Sequence, residues 1–251
     1  MKEVKGVIMA GGLGTRFRPL TNYFQKCMIP IGLNEKPILE YIVRLYNYHG
    51  IKDLILLAGY KHQQIENFFN HGERFGVKMS YVLDEPNMKG SANAVLNAYK
   101  KNELKTNDTL VIYYGDIISN INLKEMVDYH NKMQAKATIA LAPNFTVNVG
   151  VADIEDNWIK KFTEKPDLES AVSIGILILD GTVLNYMDGI REKGKYESYD
   201  LMGHVVQNMV EQGEKVAAYI TKAFWYDVGS IERYERLSNE KVEEELSFLL
   251  K

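Results

Sequence analysis

Cys27 is the only cysteine in the chain, which excludes an internal disulfide and any multi-cysteine zinc site. Such sparing use fits a reducing compartment, and a cytoplasmic protein is the expectation. Long apolar runs are missing too. No stretch reaches the roughly 18 to 20 apolar residues of a membrane span. Glycine also interrupts "MKEVKGVIMAGG" before it attains the length of a signal-peptide core, so no membrane partner is expected. Charge of one sign is not in excess: the formal net charge is −3, which argues against nonspecific nucleic-acid binding but leaves room for a local basic cluster that holds a small anion. The five histidines show no metal-ligand spacing.

What is present is ordinary globular material, 46% hydrophobic and 25% charged over 251 residues, enough for one large domain or two small ones. Apolar runs at Val4–Ala10, Leu54–Ala58, Val77–Leu83 and Thr109–Tyr114 read as strands. Amphipathic stretches at Pro37–His49, Gln63–Asn70 and Ser91–Lys101 read as helices between them. Strands alternating with such helices predict βαβ units, a mostly parallel sheet, and ligands at the carboxyl ends of its strands. In the second half, "ATIALAP", "GVADIE", "WIKKFTEK" and "VSIGILILD" predict a mixed or antiparallel region. Helices are expected at Thr182–Gly189 and Asp200–Gln212, a strand at Val216–Ile220, and one charged closing helix over 231–251. With no repeat or linker, a single domain over 1–251 is expected, its nucleotide-binding half about 1–120 and its substrate half about 121–251.

The first strand runs into "IMAGGLGTRFRPLT", where Gly11, Gly12 and Gly14 precede Thr15 and Arg16. The dinucleotide fingerprint fails because Phe17 stands where its third glycine belongs, and no Gly-Lys-Ser/Thr completes a P-loop. Two readings remain on spacing alone. The loop is either a strand-to-helix turn with solvated arginines or a concavity of backbone amides for an anion, helped by Arg16, Arg18 and Lys26.

The motif array resembles that of the sugar-1-phosphate nucleotidyltransferases. "AGGLGTRFRPLT" and "KCMIPIGLNEKPILEY" are followed in order by "GYKHQQIENFF", "GSANAV", "YYGDII", "FTEKP" and "FWYDVGSIERY". The resemblance implies an α/β, Rossmann-like, mostly parallel sheet flanked by helices, with a smaller mixed-strand sugar-binding lobe. It implies attack of a sugar-1-phosphate on the α-phosphorus of an NTP, with release of pyrophosphate. A Mg²⁺ ion and preorganised cations would supply the electrostatics.

By resemblance, Arg16 and Lys26 are catalytic cations at the outer and α-phosphates. Gly11, Gly12, Gly14, Thr15, Gly90 and Ser91 meet the nucleotide, with amides opening the helix of "GSANAV" as helpers, although a plain helix cap also explains Ser91. Gly150, Glu164, Lys165 and Ser173 fall to the sugar phosphate, and Asp116 and Asp227 to the metal. Magnesium commonly takes only one or two carboxylates plus substrate phosphates. The closing helix is expected to cover the core, with a homo-oligomer contact as an alternative. Two further alternatives are a noncatalytic relative that binds nucleotide sugars and transfer to a non-sugar phosphate.

Several positions depart from the family pattern. Gln25-Lys26-Cys27 stands where Pro-Lys-Pro is usual, which predicts a looser loop because proline no longer fixes φ. Ser173-Ile174-Gly175 replaces Asn-x-Gly on the sugar side. "DEPNMKGSANAV" matches neither the thymidylyl- nor the guanylyl-type version of its loop cleanly, so the identity of the base and the sugar stays open.

Overall fold

The computed structural model describes residues 2–250 apart from 144, 147, 148, 169 and 195, and gives backbone only for 145, 146, 167 and 168. The strands are β1 Glu3–Ala10, β2 Pro30–Ile31, β3 Lys36–Pro37, β4 Asp53–Ala58, β5 Lys78–Leu83, β6 Asp108–Tyr114, β7 Ile117–Ser119 and β8 Ala137–Ala142. There follow β9 Phe145–Thr146, β10 Gly150–Glu155, β11 Trp158–Glu164, β12 Asp167–Leu168, β13 Val172–Asp180, β14 Val216–Ile220 and β15 Trp225–Asp227. The helices are α1 Ile38–Tyr48, α2 His62–Phe69, α3 Ser91–Lys100, α4 Leu123–Met133, α5 Val183–Lys193, α6 Gln207–Glu211, α7 Ile231–Arg236 and α8 Asn239–Leu246.

A seven-stranded sheet in the order β14-β8-β13-β6-β1-β4-β5 organises the molecule. β1 pairs in parallel with both β4 and β6, and β4 with β5. β13 runs antiparallel to β6 and β8. Strands covered on both faces carry near-continuous apolar runs. That is why "GVIMA" and "LVIYY" were readable as strands. One face packs Ile8, Leu54, Leu56 and Val111 against α1; the other packs Val7, Ile55, Leu110 and Ile112 against α3 and α5. Burial of each such side chain contributes about 1.5–3 kcal/mol.

The mixed-strand region expected in the second half is present: β8, β13 and β14 extend the main sheet, with β13 antiparallel to its neighbours, while hairpin β10–β11 and the short β9–β12 pair stand outside it. Two expectations need correction. The segment expected to be helical from Asp200 opens with a π turn, Leu201–Val206, before α6. The closing helix is broken. α7 ends where Leu237 turns extended, and Ser238 restarts the chain by accepting the Lys241 N–H at 3.1 Å as the N-cap of α8. Val242, Leu246 and Leu249 still cover the core, as expected.

Candidate functional site

The carboxyl ends of β1, β4, β5 and β6 border a cleft of about 950 Å³, the position that parallel-sheet topology dictates for a ligand. Gly11, Gly12, Gly14, Thr15, Arg16, Lys26, Gly90, Ser91 and Asp116 all line it. Residues predicted from four separated motifs therefore meet in one place.

The loop after β1 is locked from behind. Gly14 takes a left-handed conformation (φ +62°) and opens a 3-10 turn over Thr15–Phe17. The Thr21 hydroxyl donates to the Gly14 carbonyl at 2.9 Å, and Phe17 is fully buried. Arg16 is left on the outer side of this turn, exposed and lining the cleft. No carboxylate pairs with it among the described residues.

Gln25 corrects the expectation of a looser loop. Its side chain is buried, its Nε2 donates to the Ala10 carbonyl at 2.8 Å, and its Oε1 accepts the Cys27 N–H at 2.5 Å. Its own N–H donates to Gln64 Oε1 at 2.6 Å. Hydrogen bonds to β1 and α2 thus tie down what proline would otherwise stiffen. Lys26 follows in a 3-10 turn, and its ammonium donates to Asp116 Oδ2. Cys27 packs into the floor, where burial pushes its thiol up to about 12.

Asp116 follows β6, and β7 pairs antiparallel with β15 so that Asp227 lies opposite Ile117. The Val228 N–H donates to the Asp116 carbonyl at 2.8 Å. The two aspartates are therefore neighbours in space across two chain segments. Asp227 is outside the cleft lining and is held by Arg233. No group of three metal-ligating side chains occurs among the described residues.

The α3 N-terminus differs from expectation. Gly90 (φ +99°), not Ser91, is its N-cap. The Ser91 N–H donates to Asp200 Oδ1 at 3.2 Å, and the Ala92 and Asn93 N–H groups donate to the Tyr199 carbonyl at 2.9 and 3.3 Å. These amides are already used by the chain and are not available to a phosphate. The Ser91 hydroxyl is used in the same way: it accepts the Leu201 N–H at 2.9 Å and donates to Asp200 Oδ1 at 3.5 Å. Burial holds the nearby Tyr114 phenol above its usual value.

The sugar-side residues form a second group, away from the cleft lining. Gly150 and Glu164 face each other at the open end of the β10–β11 hairpin, and the Lys165 N–H donates to the Val149 carbonyl at 3.2 Å. A Cβ at Gly150 would stand 2.9 Å from Glu164 Oε2. Ser173 is exposed on β13, where the register with β8 shifts. Gly150, Glu164 and Lys165 are brought together; Ser173 is not joined to them by any hydrogen bond among the described residues.

Asp84, Tyr60 and Tyr114 line the cleft and were not singled out from sequence. Asp84 directly follows β5, so the strand-end rule that found Asp116 would have found it as well. Partial burial raises its carboxyl above the usual range, although its side chain is open to the cleft.

A family model described as "Nucleotidyl transferase" matches residues 5–244. The chain belongs to the nucleotidyl transferase family. It is 31% identical over 246 residues to the UTP--glucose-1-phosphate uridylyltransferase of Synechocystis sp., covering 92% of this chain and 61% of that relative's length. It is 29% identical over 240 residues to the D-glycero-alpha-D-manno-heptose 1-phosphate guanylyltransferase of Aneurinibacillus thermoaerophilus, covering 94% of this chain and 98% of the other. The fold is similar to the crystal structure of HddC from Yersinia pseudotuberculosis, with a TM-score of 0.69, 22% identity, and coverage of 96% and 99% of the two chains.

Proposed function

We propose that this nucleotidyl transferase joins the nucleotidyl group of an NTP to a sugar-1-phosphate, forming an NDP-sugar and pyrophosphate. The observation that carries this reading is the convergence of the glycine loop, Arg16, Lys26 and Asp116 on one cleft at the carboxyl edge of the sheet. Relatives named for transfer to glucose-1-phosphate and to a heptose 1-phosphate support the acceptor class.

Phosphoryl chemistry of this kind asks the protein mainly for alignment and charge. Arg16, unpaired and facing the cleft, would hold the outer phosphates that leave as pyrophosphate. Lys26 would meet the α-phosphate as negative charge develops there. Gly150, Glu164 and Lys165 would receive the sugar phosphate from the hairpin side, and Ser173 from β13.

Asp116 and Asp227 present hard carboxylate oxygens on adjoining strand ends, a donor set that suits Mg²⁺ once phosphates complete it. When bound, the ion would supply charge neutralisation between the phosphates. Because both carboxylates already have a cationic neighbour, Lys26 and Arg233 must each yield part of that pairing. The remaining expectations, a single domain and a cytoplasmic setting, accompany this reading. No helix among the described residues is long and apolar enough to cross a membrane.

The test is pyrophosphate release by the purified protein across a grid of NTPs, dTTP and sugar-1-phosphates, with Mg²⁺ and with chelator. Release that needs both substrates and the metal is expected. No release from any pair would instead favour a noncatalytic binding protein.

A further inference from the structure

Three carboxylates face the cleft: Asp84, Glu85 and Asp116. Asp116 is paired with Lys26, and Glu85 accepts from Lys101 at 2.8 Å. The Asp84 carboxylate has no hydrogen-bond or ion-pair partner among the described residues. Two glycines make room for it. A Cβ at either Gly11 or Gly59 would collide with Asp84 Oδ2. The ends of β1 and β4 are thus cleared for a single acceptor group that nothing in the protein satisfies.

The position of Asp84 in the sheet limits what it can meet. The neighbouring strands run β6-β1-β4-β5, at about 4.8 Å per step. Lys26 and Asp116 lie at the β6 side, and Asp84 reaches in from the β5 side. A triphosphate drawn to Arg16 and Lys26 would be repelled by Asp84. The nucleoside end of the same molecule therefore points toward it. Leu57, Leu83, Met88 and Ala94 line the cleft on this side, and apolar walls suit the faces of a planar base.

We propose that Asp84 is a base-specificity residue that accepts from the exocyclic amino group of the nucleobase and disfavours uracil and thymine. This rests on the nucleotidyl-transfer reading above. An ionised carboxylate offers acceptors only. Guanine, cytosine and adenine each carry an amino donor, and guanine sets a ring N–H beside it, the fullest match to two oxygens. Uracil and thymine offer one ring N–H flanked by two carbonyl oxygens, which face the carboxylate with like partial charge.

The test measures binding of GTP, CTP, ATP, UTP and dTTP to the whole chain by calorimetry, alongside pyrophosphate release, for wild type and Asp84→Asn. An amide of the same shape supplies both a donor and an acceptor, which suits the uracil edge. The wild type is expected to bind an amino-bearing triphosphate ~10- to 100-fold more tightly than UTP and dTTP, and Asp84→Asn to close most of that gap. The wild-type ranking needs no variant, and thermal melting checks that the variant is folded. A wild type that prefers UTP or dTTP, or a variant with an unchanged ranking, overturns the role of Asp84 while leaving nucleotidyl transfer intact. Absence of binding and of turnover with every triphosphate overturns both.

Discussion

The Lys26 ammonium donates directly to Asp116 Oδ2, tying the turn after the glycine loop to the end of β6. Both groups are mostly shielded, with side-chain exposures of 11% and 26%. The pair holds the two side chains in place before substrate arrives. Removing one charge-stabilising donor in a preorganised site costs about 10²- to 10³-fold in rate. Lys26→Ala is expected to lower kcat by that order, with circular dichroism unchanged. The same variant frees Asp116, so Mn²⁺ binding without nucleotide, followed by electron paramagnetic resonance, should tighten. Near-full turnover in Lys26→Ala would remove Lys26 from the chemistry.

Arg233 holds Asp227 in the same way, but at a more open site, its own side chain 47% exposed. An exposed pair contributes little to stability, so its main effect is on what else Asp227 can bind. Arg233→Gln is expected to leave the melting temperature within a degree or two and to lower the Mg²⁺ concentration that gives half-maximal rate. A titration of initial rate against Mg²⁺ reads this directly. An unchanged midpoint would mean that Asp227 does not share the metal.

Gly90 occupies a backbone region (φ +99°, ψ 157°) that is essentially reserved for glycine. A Cβ there would collide with the Tyr199 carbonyl and stand 2.6 Å from its nitrogen. Gly90→Ala therefore strains the backbone and pushes away the segment that caps α3. A loss of about 1–3 kcal/mol is expected from the backbone alone, read as a lower urea midpoint with unchanged slope. A midpoint equal to wild type would mean that the 199–200 segment yields freely.

The parts legible in the sequence share a physical character. β1, β4 and β6 are buried on both faces, so apolar runs announce them, and Asp116 was found because a glycine and a strand precede it. Helix α4 went unread because only Leu123, Met126, Val127 and His130 face inward. The fourth position of that stripe is a histidine, and apolar periodicity does not count it. The break in the closing helix depends on one serine hydroxyl, Ser238, within a stretch that otherwise keeps its charge pattern. The position of Asp84 at a strand end is legible in the sequence, but the space cleared for it is not: Gly11 and Gly59 stand 73 and 25 positions earlier, and only the fold brings them to it.

Cys27 is 3% exposed, and a Cβ at Gly115 would stand 2.7 Å from its Sγ. Burial first, then the Asp116 charge, pushes the thiol up to about 12, against the opposing pull of Lys26. Thiolate is the reactive form, so the native protein is expected to leave Ellman's reagent unreacted at pH 8. One equivalent should react after unfolding in guanidinium. Rapid labelling of the native chain would show that the turn at Lys26–Met28 opens readily.

His130 closes the inner face of α4, 3% exposed, with its Nδ1 2.8 Å from the Thr138 hydroxyl. Burial lowers its pKa, and Lys2 adds to this, while Asp180 works in the opposite direction. In the unfolded chain the same imidazole takes a proton near about pH 6.5. Between that value and its lowered native one, the unfolded state binds more protons, so stability falls as pH falls through this window. Above pH 7 neither state is protonated and the contribution is flat. His130→Gln removes the titration, and its urea midpoint should drop less than wild type between pH 7.5 and 5.5. Equal drops would show that His130 is protonated as easily in the fold as outside it, and that its hydrogen bond to Thr138 survives the added charge.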